Sequence, residues 1–160
     1  MTQNDLFAIP QEDRRFEDFV PGMTYEHNGQ IEVTEKEILD FAGAFDLQSF
    51  HTDPAAASDG PFGGLIASGW HTTALMMRLL TEHYLPRTAG FGSPGVDDLR
   101  WLVPVRPADT LRLRLTVTDA VRSTSRPDRG LVHFRPQLIN QDGKVVLDMK
   151  ALIFLRTAEG

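Results

Sequence analysis

Apolar and polar positions change period part-way along the chain. From residue 111 to 118 they alternate strictly. Leu111, Leu113, Leu115 and Val117 fall on one side, and Arg112, Arg114, Thr116 and Thr118 on the other, which predicts a strand with one buried face. Residues 97–105, 131–140 and 144–155 are further strand candidates, with Asp142-Gly143 as a hairpin turn between the last two. Pro104 and Pro107 bracket a break before the alternating strand. Ahead of this half the period is helical. Thr34-Glu-Lys-Glu37 forms a capping box, and Ile38, Phe41 and Phe45 follow at helical spacing, so a helix is expected over residues 35–45. A longer helix is expected over residues 65–84, where Ile66, Ala67, Trp70, Leu75, Met76, Leu79 and Leu80 leave little polar circumference and predict burial on several sides.

The flanking segments are less regular. Residues 23–33 suit an exposed strand broken at Asn28-Gly29. Ordered structure is expected to begin around the Pro21-Gly22 turn signal, leaving residues 1–20 as an N-terminal extension and residues 21–160 as a single domain. Asp53-Pro54, Asp59-Gly60-Pro61 and Gly63-Gly64 mark residues 51–64 as loop, with a short turn around 55–57 at most. The order of strand, helices and four strands predicts an α+β architecture, an antiparallel sheet packed on one long helix.

Composition narrows the chemistry. The 160 residues include no cysteine, which excludes disulfides, thiolate metal sites and cysteine nucleophiles. A formal charge of −6 argues against a broad nucleic-acid footprint. Ser68, His71, Arg78 and Glu82 interrupt the longest apolar stretch, so no window approaches the ~20 apolar residues of a membrane span, and a soluble, cytoplasmic protein is expected.

Asp46-Leu-Gln-Ser-Phe-His51 stands where the first helix gives way to the Gly/Pro loop. A carboxylate and an imidazole at this spacing can hold one water between two proton-transfer groups. The first-turn amides near Ser68-Gly69 can donate to an oxygen that gains negative charge. The competing structural reading makes Asp46 a cap of the helix–loop junction and His51 a satisfied core histidine.

Phe41-Ala-Gly-Ala-Phe-Asp46-Leu-Gln48-Ser49-Phe50-His51, followed by Phe62-Gly-Gly-Leu-Ile66-Ala-Ser-Gly69, resembles the signature of MaoC-like dehydratases, the R-specific enoyl-CoA hydratases. Leu99-Arg-Trp-Leu-Val-Pro-Val-Arg-Pro-Ala-Asp-Thr-Leu111 is similar to the family's later strand and Pro-Val-x-x-Gly-Asp turn. Phe45, Gln48, Ser49 and Ser68 depart from the residues common at those positions, which are Gly, Asn, Pro and His.

The resemblance implies a hotdog fold, a curved antiparallel sheet wrapped around a long central helix, assembled as a homodimer or higher homo-oligomer with acyl-CoA tunnels at the interface. It implies reversible addition of water across a 2-enoyl-CoA thioester to give a 3-hydroxyacyl-CoA. Asp46 and His51 would activate water, and the Gly69 amide would stabilise the thioester oxygen, with Ser68, Gln48 and Gly64 in the substrate-binding surroundings. Coenzyme A enters as part of the substrate, and no cofactor or metal is expected. The alternatives are an acyl-CoA thioesterase and a non-catalytic acyl-CoA or acyl-carrier binding protein, because fold alone does not choose among them.

Other residues take structural readings. A His51, Asp53 and His71 metal triad is set aside, since the hydratase chemistry needs no metal. His83 and His133 are expected at the surface. Arg112 and Arg114 read as a solvated strand face, with coenzyme A phosphates as the competing reading. Met76-Met77 reads as core filling, with the lining of an acyl tunnel as its competitor.

Overall fold

The computed structural model describes residues 5–160. Strand β1 (Thr24–Glu32) is followed by α1 (Glu35–Phe45), two short helices α2 (Ser49–Thr52) and α3 (Pro54–Ser58), and the long helix α4 (Gly69–His83). Four strands complete the chain: β2 (Val96–Trp101), β3 (Thr110–Arg122), β4 (Arg129–Ile139) and β5 (Val145–Arg156). All pairings are antiparallel, in the order β1-β3-β4-β5-β2, and α4 packs against the sheet to give the hotdog arrangement.

Local chemistry explains most of these elements. The α1 capping box is formed, with the Thr34 hydroxyl accepting from the Glu37 amide and the Glu37 carboxylate accepting from the Thr34 amide. Along β3 the alternation is realised as written, with Leu111, Leu113, Leu115 and Val117 buried. Arg112 and Arg114 lie on the other face and both pair with Glu26 of β1. The irregularity of β1 falls between Glu26 and Gln30, around Asn28-Gly29. A side chain at position 29 would collide with the His83 imidazole, which stacks on His27 with centroids 4.2 Å apart. His83 and His133 are thus half-buried rather than free at the surface.

Four expectations need correction. First, residues 65–68 are extended, and α4 starts at Gly69. The Ile66 amide donates to the Phe50 carbonyl and the Ala67 amide to the Val105 carbonyl, so long-range backbone pairing claims an apolar run that would otherwise continue the helix. Second, α4 is not buried all round. Leu75, Met76, Leu79 and Leu80 face the core, while Trp70 and Met77 face solvent in the single chain. Third, the segment expected as loop is largely helical at its start, with His51 inside α2 and α3 directly after it. Asp53 caps α3 by accepting from the Ala55 and Ala56 amides, with Pro54 in the first turn.

Fourth, order begins well before Pro21. Three 3₁₀ turns cover Leu6–Ala8, Gln11–Asp13 and Phe16–Asp18, and Leu6, Phe16 and Phe19 enter the common core. The buried Arg14 guanidinium donates to the carbonyls of His83 and Tyr84, satisfying the free end of α4, and Gln11 donates to the Thr81 and Leu85 carbonyls.

Candidate active site

Asp46 ends α1 and is an unusual residue to find there, because a carboxylate at the negative end of a helix is disfavoured by roughly 0.3–1 kcal/mol. Two donors outweigh that cost. The Gln48 side-chain amide donates to Oδ1 at 3.0 Å and the Ser68 hydroxyl to Oδ2 at 2.7 Å, and hydrogen bonds to a charged group contribute about 1.5–3 kcal/mol each. These donors, Gln48 first, hold the Asp46 carboxyl below its ordinary value against the opposing effect of burial. Asp46 is therefore ionised at neutral pH.

His51 sits in α2 and is buried. Its Nδ1 lies 2.7 Å from the Ile66 carbonyl oxygen, which can only accept, so Nδ1 carries the hydrogen. In the neutral ring Nε2 then presents its lone pair. That atom lies 3.4 Å from Oδ2 of Asp46. Two acceptors this close cannot bond to one another, but a water that donates one hydrogen to each satisfies both.

Gly69 opens α4, so its amide has no partner inside the helix, and it makes no hydrogen bond among the described residues. Asp46, His51 and Gly69 line one cavity of about 340 Å³. Apart from Gln48 and Thr72, its remaining wall is apolar, including Ile66, Val103 and Val146, with Phe50, Phe62, Trp70 and Trp101 as aromatic faces. Gln48 also lines it, while Ser68 acts from behind through Asp46. Gly64 does not reach the cavity. It occupies the preceding loop at φ +151 beside Arg106, whose guanidinium donates to the Phe62 carbonyl. A larger cavity of about 600 Å³ opens over β2, β4 and β5, but its charged groups are largely spent on one another, Arg135 with Asp148 and Lys150 with Asp98.

The residues of the imagined metal triad separate, since Asp53 caps α3 and His71 stacks on Phe41. Among the described residues no group of three or more His, Asp or Glu side chains is placed to hold a metal ion, and no helix is long and apolar enough to cross a membrane. Sequence reasoning missed Trp101 as a site residue. Its indole lies so close to Gly69 that a Cβ there would be 2.4 Å from the ring, and Nε1 donates to the Thr73 hydroxyl at 3.1 Å. A glycine beginning an otherwise bulky helix was the available signal.

A MaoC-like domain model matches residues 17–132. The chain belongs to the MaoC-like family. A MaoC-like dehydratase from Rhodospirillum rubrum has 40% sequence identity and a TM-score of 0.83, over 90% of this chain and 97% of that one. The R-hydratase PhaJ1 from Pseudomonas aeruginosa has 26% identity and a TM-score of 0.71, over 89% and 86% of the two chains. A 3-hydroxyacyl-thioester dehydratase Z of Mycobacterium tuberculosis is 34% identical over 84 residues, which is 51% of this chain and 56% of that protein. In this MaoC-like chain the cavity lies where α1, α2 and the start of α4 meet the strand-end segment 101–105.

Proposed function

We propose that this MaoC-like protein reversibly hydrates a 2-enoyl-CoA thioester to a 3-hydroxyacyl-CoA. The observation that carries the reading is the His51 Nε2 lone pair, fixed by the Nδ1 bond to Ile66, facing the ionised Asp46 across 3.4 Å on the wall of a largely apolar cavity. A water placed there loses a proton to His51 Nε2, the better base of the two because Asp46 is held ionised by its donors. Its oxygen adds to Cβ of the enoyl chain. Electron density moves onto the thioester oxygen, which the Gly69 amide stabilises, a contribution worth about 3–4 kcal/mol for a single donor. The imidazolium, steadied by Asp46, returns its proton to Cα, so that one water is consumed and the protein is unchanged.

Assembly as a homodimer belongs to the same reading, as does a cytoplasmic location. Phe45 and Leu47, 77% and 76% exposed, flank Asp46, and Trp70 and Leu102 are more than half exposed near the cavity. The edge strand β2 also leaves Val96 and Trp101 open. Apolar exposure of this kind around a site favours cover by a second copy.

The test is loss of the enoyl absorbance on short, medium and aromatic 2-enoyl-CoA esters. Hydration of at least one ester is expected. Release of free thiol instead would identify a thioesterase, and calorimetric binding without turnover a binding protein.

A further inference from the structure

We propose that Trp101 determines specificity by making the cavity a narrow slot for straight acyl groups, closed to a branch on the carbon beside the thioester carbonyl. The inference rests on the enoyl-thioester reading, because it takes the Gly69 amide to mark where the carbonyl oxygen sits.

The indole is held at both ends. Its six-membered ring lies against the Cα of Gly69, leaving no room even for a methyl group, and its Nε1 donates to Thr73 one turn along α4. Trp70 meets it edge-on with centroids 5.2 Å apart. Packing on Gly69 and the bond to Thr73 set this wall of the cavity, with the indole still 46% exposed in the single chain. Phe50 and Phe62, edge to face at 5.2 Å, supply a second aromatic pair to the same lining. With the thioester carbonyl at the Gly69 amide, the acyl Cα lies beside the indole that packs on Gly69, and a substituent there meets the ring. Rejection of one methyl by an apolar wall corresponds to about tenfold or more in selectivity.

The experiment compares crotonyl-CoA with its α-methyl analogue tiglyl-CoA in turnover, and butyryl-CoA with 2-methylbutyryl-CoA in calorimetric binding. The proteins are the wild type, Trp101→Ala and Thr73→Val, with thermal unfolding to confirm that each is folded. The wild type should favour the straight member of each pair by about tenfold or more. Trp101→Ala should lose most of that preference by improving the branched member, and Thr73→Val, which frees the indole but keeps it, should fall between. A wild type without preference, or a preference that survives in Trp101→Ala, overturns the proposal. Absence of binding by all four thioesters overturns it as well. Should crotonyl-CoA bind without being hydrated, the hydratase reading fails while the binding ratios still decide the role of Trp101.

Discussion

The Ser68 hydroxyl donates to Oδ2 of Asp46 at 2.7 Å, tying the last residue of one helix junction to the first of another 22 positions away. The same oxygen faces Nε2 of His51, so Ser68 helps set both the charge and the aim of the carboxylate. Ser68→Ala removes a donor that lowers the Asp46 pKa, and that pKa must rise. Asp46 stays ionised at neutral pH in either protein, so the loss comes from the aim of Oδ2 toward His51, and kcat should fall by about tenfold or more at neutral pH. A kcat within about twofold of the wild type would show that Ser68 serves only the helix start.

Gly69 and Trp101 form a second coupled pair. Gly69→Ala keeps the backbone amide but sets a methyl group 2.4 Å from the indole, so overpacking of about 1–3 kcal/mol is expected in denaturant unfolding, together with reduced activity. In a Trp101→Ala background the same change should cost little stability. Equal costs in both backgrounds would mean that the close approach is not what fixes glycine there.

Arg14 is the main polar anchor of the N-terminal segment, with bonds to the carbonyls of Ile9, His83 and Tyr84. Arg14→Ala leaves the end of α4 unsatisfied and should destabilise the protein by about 2–3 kcal/mol in urea unfolding. A change within about 0.5 kcal/mol, as for an ordinary surface site, would contradict this.

What could be read from the sequence divides along physical lines. The α1 capping box and the alternation of β3 are local patterns, and each formed as expected, while the long apolar helix formed only from Gly69 and with one face exposed. Spacing brought Asp46 and His51 together because only one turn of α2 separates them. The start of α4 was misplaced because helical composition and backbone pairing compete over residues 65–68, and only the partners Phe50 and Val105 decide. Asp53-Pro54 carried a legible start signal for α3, but read as turn chemistry. Arg14 and Phe16 sit among polar residues, so their burial depends on distant partners, the end of α4 for Arg14 and Gly130 of β4 for Phe16. Trp101 joined the site by the same kind of long-range approach. Gly64 resembled a binding residue but serves the loop conformation.

His71 gives the fold a dependence on acidity. Its ring stacks on Phe41 at 4.8 Å, and its buried Nδ1 has no partner among the described residues. Burial pushes its pKa below the ordinary value, with Glu37 opposing. The unfolded chain therefore takes up the proton first, near pH ~6.5, and stability is lost as pH falls from there until the folded ring is also protonated. His27, lowered by burial and by the charges of His83 and Arg14, acts in the same sense. The thermal midpoint should drop between about pH 7 and about pH 5, and His71→Phe should flatten that drop. An unchanged slope in the variant would assign the acid sensitivity elsewhere.

The proton-transfer pair is tested most directly by the hydration rate of Asp46→Asn and His51→Gln beside the wild type, using whichever enoyl-CoA ester the wild type turns over best. Each substitution preserves size and the fold, so each should lower kcat by about 10²–10⁴, and the double variant should be little worse than either alone because the two act as one unit. An Asp46→Asn protein that hydrates within about twofold of the wild-type rate would show that the carboxylate takes no part in the chemistry.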